Sequence, residues 1–259
     1  VNGLVGSEMC IRDRYKFANG NVYHGEWKED KSHGKGKYIF KNGNTYIGDF
    51  SNGEEDGKGV YTYSNGEKYE GEFKSGKRTG LGTFSFKNGN TYEGEFWNGV
   101  KNGTGTFKDP NGNIYEGEWK DDNRHGQGTF TYVNGSSYSG EWHNGLIHGY
   151  GIYNYVNGDI YEGDFTLGKM HGWGFYKFVN GNEYHGQWED DKMKGEGIYS
   201  SSIGNNYEGY FSDGRLDGPG SFRSYLGETY VGDWLSGRMH GQGLYIFANG
   251  SRYEGEWVN

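Results

Sequence analysis

Tyr115-Glu116-Gly117-Glu118-Trp119 is the stretch whose reading decides the fold. It returns as Tyr69-Glu70-Gly71-Glu72-Phe73, as Tyr161-Glu162-Gly163-Asp164-Phe165 and as Tyr253-Glu254-Gly255-Glu256-Trp257. The leading tyrosines run from Tyr23 to Tyr253 at a constant spacing of 23 residues, with no insertion or deletion. A fixed period of this length is the signature of a repeat array, in which contacts run mainly between neighbouring copies.

Count positions from each leading tyrosine as zero. Position 2 is always Gly and position 4 always Trp or Phe, as in Trp119 and Phe165. Positions 11 and 13 are Gly, position 15 is Tyr or Phe, and position 20 is Gly. Positions 0, 2 and 4 alternate with charged positions 1 and 3, the period of a strand with one apolar face. Positions 11, 13, 15 and 17 form a second such run. Asn144-Gly145 and Asn134-Gly135 stand for the turn signals that follow each strand.

Keeping the apolar residues on one face pairs position 4 with 11, 2 with 13 and 0 with 15, because a one-residue slip would flip every side chain. The next connection is expected to be a five-residue loop over positions 18 to 22, pairing 17 with the next tyrosine and 13 with the next position 4. Each position-4 ring would then lie between two glycines, whose missing side chains make room for it. The expected product is all-β: an elongated antiparallel meander of about ten 23-residue β-hairpin repeats, spanning on the order of 100 Å. With no second element to cover the ring face, the sheet is expected to curl so that neighbouring rings cover one another.

Ten full units occupy 23–252, within an array over 15–259 that has partial units at both ends. Residues 1–14 do not match the repeat and contain SEMCIRDR, which resembles translated sequencing-adapter sequence. They are set aside as a non-repeat tail. Both ends are expected to be cuts through a longer natural chain.

Only 32% of the residues are hydrophobic while 18% are aromatic, so burial must come from Tyr, Phe and Trp. A net charge of −9 argues against nucleic acid and against simple docking on anionic lipid. The single cysteine, Cys10, leaves no disulfide framework and suits a reducing, cytoplasmic setting. No secretory leader or membrane-spanning apolar run is visible. The Asn-Gly-Ser/Thr triplets at Asn102, Asn134 and Asn249 read as turns.

The unit YxGxW or YxGxF, then GxGxY, then NG, resembles the MORN (membrane occupation and recognition nexus) repeat over 15–259. The resemblance implies a twisted stack of hairpins and a scaffolding role at membranes or the cytoskeleton, often through dimers. Arrays of this kind occur in ciliary radial spokes and in junctophilin-type membrane tethers. Others precede catalytic domains such as phosphatidylinositol phosphate kinases.

Binding is expected where copies differ. Position 9, read as lying on the loop between strands, is polar in the first half (Ser32, Glu55, Arg78, Lys101, Arg124). In the second half it is apolar: Ile147, Met170, Met193, Leu216 and Met239. Stacked, these five would form an exposed, adaptable stripe suited to a protein partner or to a homodimer through the C-terminal repeats. The alternative is that each packs under its own loop. The face opposite the rings also turns apolar, at Tyr150, Ile152, Trp173, Phe175, Ile198, Leu244 and Ile246. Ser201 and Ser224 replace the position-17 aromatic, and Asp109-Pro110 is expected to bend its connection.

Catalysis is not expected. The carboxylates at positions 1 and 3, such as Glu116 and Glu118, recur along the array, whereas catalysis needs one pair with separated pKa values. His33, His125, His148, His171 and His240 share position 10, about 10 Å apart from unit to unit, too far to share a metal. No cofactor or metal site is read from the sequence. The expected function is a non-catalytic scaffold linking cytoskeletal, ciliary or membrane-associated components through protein partners. The alternatives are a regulatory segment of a larger enzyme and direct binding of phospholipid.

Overall fold

The tight Asn-Gly and Asp-Asp corners fix the hairpins. Asn144 and Gly145 both have positive φ (49° and 84°), the geometry of the two-residue turn whose twist matches the flanking strands. They join the strands Ser137–His143 and Leu146–Asn154. The structure, a computed structural model, describes residues 13–258. These form 22 β-strands, and no helix occurs among the described residues. The chain divides into two compact units at His125/Gly126. Within each, every strand pairs antiparallel with its chain neighbours, so each unit is a meander. Cys10 and most of the expected tail lie outside the described residues. Asp13 and Arg14, assigned to that tail, begin the strand Asp13–Lys16 and pair with Gly25 and His24.

Within a hairpin the expected pairing holds at Tyr138↔Tyr153 and Gly140↔Gly151 and then changes. Position 4 does not face position 11: Trp142 faces Ile147 at position 9, because the second strand carries a two-residue bulge between them. The bulge explains the position-11 glycine. Gly149 sits at φ +60, a left-handed backbone that side-chain-bearing residues adopt at a cost. The position-3 side chain folds over the bulge and accepts its free N–H: Asp49 Oδ2 from Lys58 (3.0 Å), Gln187 Oε1 from Glu196 (2.9 Å).

Between hairpins the register differs from expectation by two residues. Phe130 at position 15, and not position 17, faces the next tyrosine, Tyr138, while Gly128 faces Gly140 and Gly126 faces Trp142. The loop has five residues but covers positions 17 to 21, closed by the Tyr132 N–H on the Ser136 carbonyl (2.9 Å) and the Gly135 N–H on the Tyr132 carbonyl (2.9 Å). Tyr132 thereby leaves the ladder and packs its ring 4.5 Å from that of Phe130. In several units a position-21 side chain staples its loop to the next: Asn44 accepts from the Ser64 N–H (2.9 Å) and donates to Tyr61 Oη (2.9 Å).

The residue seated over bare backbone is therefore the leading tyrosine. A Cβ on Gly36 would come within 2.6 and 2.7 Å of ring atoms of Tyr23, and one on Gly174 within 2.5 and 2.6 Å of Tyr161. Tyr23 Oη donates to the Glu26 carbonyl (2.9 Å) and reaches the His33 carbonyl at 3.3 Å. Position-4 rings clasp the buried tyrosines edge-on from both sides. Tyr138 lies 5.4 Å from Trp142 and 5.2 Å from Phe165. Nine leading tyrosines have no exposed surface at all.

Candidate protein-interaction face

Because the bulge adds an even number of residues, position 9 stays on the ring face. Met170 and Leu216 are buried there, against Phe165 and Phe211, while Ile147, Met193 and Met239 are half-buried beside Trp142, Trp188 and Trp234. The exposed stripe expected from these five residues does not form. Met170 is instead tied in by the Tyr155 hydroxyl, 3.7 Å from its sulfur. The polar residues of the first unit occupy the same row. Lys101 Nζ lies 4.2 Å from the Trp119 ring centre, and Arg78 stacks 5.0 Å over Phe84. Burial lowers the Lys101 pKa and raises that of Glu55.

The opposite face carries the open surface. Its cavities are floored by the backbone of the glycine pairs and walled by positions 1, 3, 12 and 14. In the first unit a cavity of about 890 Å³ is walled by Lys35, Lys37 and Lys58 with Ile47, Val60 and Leu81. In the second, a cavity of about 750 Å³ is walled by Trp173, Ile198, Tyr210 and Val231 with Glu196 and Glu208. Trp173 is 48% exposed, Tyr210 46% and Val231 60%. Trp173 packs edge-on to His185 at 6.2 Å, and the Tyr210 hydroxyl donates to Glu196 Oε1 (2.9 Å), which raises the phenol's pKa. Of the residues singled out from sequence on this face, Tyr150 is exposed and donates to Glu162 Oε1 (2.6 Å), while Phe175 is half-buried.

Tyr210 and Pro219 escaped the sequence reading, although both carry a signal. Tyr210 stands at position 3, where the other units have Asp, Glu or Gln, and Pro219 at position 12 has no N–H to give. The latch across the bulge has lost donor and acceptor together. The ring column yields at the same place. Tyr207 moves to 4.8 Å from Phe222 and 6.3 Å from Tyr199, the two rings that a position-17 aromatic at Ser201 would bridge, as Phe40 bridges Tyr38 and Tyr61. Leu216 comes within 3.3 Å of a Cβ built on Gly209, and buried Trp234 Nε1 finds no partner. By contrast, the connection at Asp109-Pro110 keeps the common loop: the Asp109 N–H still bonds the Asn113 carbonyl (3.0 Å) and Gly112 the Asp109 carbonyl (3.1 Å). The Asp109 carboxylate accepts from the Asn111 and Asn113 N–H groups, both at 2.9 Å, the second a bond that the position-19 asparagine side chain accepts in other loops. The expected bend is absent there.

The MORN repeat family matches ten consecutive segments: 23–45, 46–68, 69–91, 92–114, 115–137, 138–160, 161–183, 184–206, 207–225 and 230–252. The chain belongs to the MORN-repeat family. The ninth MORN match stops short at 225, within the unit where Tyr207 leaves its seat. No curated protein sequence matches the chain. Among solved structures it is similar to the TCP10 domain of Danio rerio CPAP, solved in complex with a peptide of Danio rerio STIL. That match has 10% identity, 95% of this chain and 99% of that one covered, and a TM-score of 0.47. It is also similar to the SAS-4 (dCPAP) TCP domain of Drosophila melanogaster, solved with a proline-rich motif of Ana2 (15% identity, 60% and 85% covered, TM-score 0.39). A virginiamycin B lyase from Staphylococcus aureus matches at 11% identity, 95% and 84% coverage and a TM-score of 0.16. At these scores the likenesses carry nothing about function.

The position-10 histidines lie beside the bulges, and the His148 and His240 carbonyls receive leading-tyrosine hydroxyls at 3.4 and 3.3 Å. Among the described residues no cluster of His, Cys, Asp and Glu is suited to a metal, and no helix is long and apolar enough to cross a membrane.

Proposed function

We propose that this chain is a non-catalytic scaffold that holds protein partners on the face opposite its rings, linking cytoskeletal or membrane-associated components. The observation that carries the reading is the open second-unit surface, where Tyr150, Trp173, Tyr210 and Val231 expose apolar area beside a groove of about 750 Å³. The recurring position-3 carboxylates support the non-catalytic part. Asp49, Asp164 and Asp233 spend their oxygens on bulge N–H groups, a structural task repeated from unit to unit. Proximity labelling in the source cell, comparing the natural chain with Tyr150→Thr/Trp173→Thr, tests the reading. Loss of specific neighbours in the variant is expected; an unchanged set would refute it.

The first-unit groove favours a second ligand. Lys35, Lys37 and Lys58 line it together with Glu70 and Glu72, Lys35 being paired with Asp49 (2.6 Å), and this small excess of cations suits an anionic lipid headgroup. Pelleting with acidic liposomes at low salt, abolished in Lys35→Gln/Lys37→Gln/Lys58→Gln, is the expected result. Equal pelleting of both proteins would remove this role.

A further inference from the structure

The two grooves differ in charge, and that difference identifies what the second one takes. Three lysines and two glutamates, Glu70 and Glu72, wall the first. The second is lined by Glu196, Glu208 and Asp233 and by no lysine or arginine. Among the described residues no cation forms an ion pair with any of these three carboxylates. They stand around exposed aromatic surface: Trp173 at one end and Tyr210 beside Glu196. An apolar partner alone would desolvate three carboxylates that no cation neutralises, Glu196 and Asp233 being held only by the Tyr210 hydroxyl and the Gln242 N–H, which is costly. An anionic partner would be repelled.

Resting on the interaction face proposed above, we propose that this groove binds an extended, arginine-bearing segment of a partner protein. A guanidinium can stack on Trp173 or Tyr210 while its N–H fork engages a carboxylate, a combination that lysine matches less well. The strand edges at the groove are already paired on both sides, so the segment cannot add as a strand. It lies across the strands, over the bare backbone of Gly197, Gly209, Gly220 and Gly232. Glu208 is level with Ser221 and Val231 while Asp233 is level with Pro219, so the two carboxylates lie about 10 Å apart across the strands and about 7 Å along them, roughly 12 Å in all. Arginines three residues apart in a polyproline II segment, at about 3.1 Å per residue, stand about 9 Å apart, and their long side chains cover the remainder. Ile198 and Val231 receive the apolar residues between them.

The test uses the full chain and a fluorescent peptide with arginines at every third position and leucine or proline between, read by anisotropy. Binding is expected to weaken about tenfold or more when the arginines become glutamine, and less when they become lysine. Glu208→Gln and Trp173→Thr should each cost about tenfold. Both keep the strand, since Thr104 already occupies the Trp173 position in another unit. Circular dichroism verifies folding. Lys35→Gln should change nothing. Equal binding of the glutamine peptide, or no effect of Glu208→Gln, overturns the proposal. If Tyr150→Thr/Trp173→Thr loses its cellular partners while no arginine peptide binds, the cationic assignment falls and the interaction face stands. If neither depends on the face, both fall.

Discussion

Raising the pH should unfold this protein through its tyrosines. Nine leading tyrosines have no exposed surface, and burial is the main cause that lifts their pKa values. Tyr23, with Glu26 adding to the effect, and Tyr69 are pushed up to about 12. A phenol held neutral in the fold contributes stability that is complete below its unfolded pKa, about 10, and is lost as pH rises toward the folded value. At pH 11 the loss is about 1.4 kcal/mol per tyrosine, or roughly 11 kcal/mol for the eight that are shifted furthest, comparable to the whole stability of a typical domain. Absorbance at 295 nm and far-ultraviolet circular dichroism, followed together, read the effect. The buried set should ionise in one steep step that coincides with loss of the strand signal. If nearly all 24 tyrosines of the chain ionise near pH 10 while the sheet persists, the seating of these rings is refuted.

Other outcomes follow from the same packing. Trp119→Ala should cost about 3–5 kcal/mol in urea unfolding, as for other buried aromatic truncations; a loss under about 1 kcal/mol would count against the ring column. Burial raises the Glu55 pKa, so its ionisation opposes folding: the stability it leaves intact at acid pH is lost as pH rises through the folded value. Glu55→Gln should therefore stabilise at neutral pH, with the advantage vanishing in acid, and a pH-independent difference would contradict this. Tyr210→Glu combined with Pro219→Gln should rebuild the missing latch and add about 1 kcal/mol. Hydrogen exchange at residue 219 would show whether the restored N–H is protected.

Much of the fold is legible in the chain. Period, strand pairs, corners and the ring face all follow from the alternation around Tyr115-Glu116-Gly117-Glu118-Trp119. Register between hairpins does not, because parity fixes which face a side chain takes while a two-residue shift leaves every face unchanged. For the same reason the glycines at 11 and 13 read alike although their tasks differ: Gly149 supplies a left-handed backbone and Gly151 a seat for Tyr138. Position 9 reads as loop, although Asn144-Gly145 announces the corner, because nothing in the sequence announces the bulge that carries the second strand back to Ile147. On the candidate face, Tyr150 and Trp173 stood out as apolar departures at a polar position. Tyr210 and Pro219 matter as a pair, and their meaning rests on knowing that position 3 latches to the N–H of position 12.

The seating of tyrosine over glycine is most directly tested by a double-mutant cycle of Gly36→Ala and Tyr23→Leu in equilibrium urea unfolding. A methyl on Gly36 would press into a ring that has no exposed surface and cannot yield, so Gly36→Ala alone should cost about 1–3 kcal/mol. With Tyr23→Leu already in place the same methyl should cost much less, giving a coupling energy of about 1–2 kcal/mol. Equal costs of Gly36→Ala in both backgrounds would contradict the account.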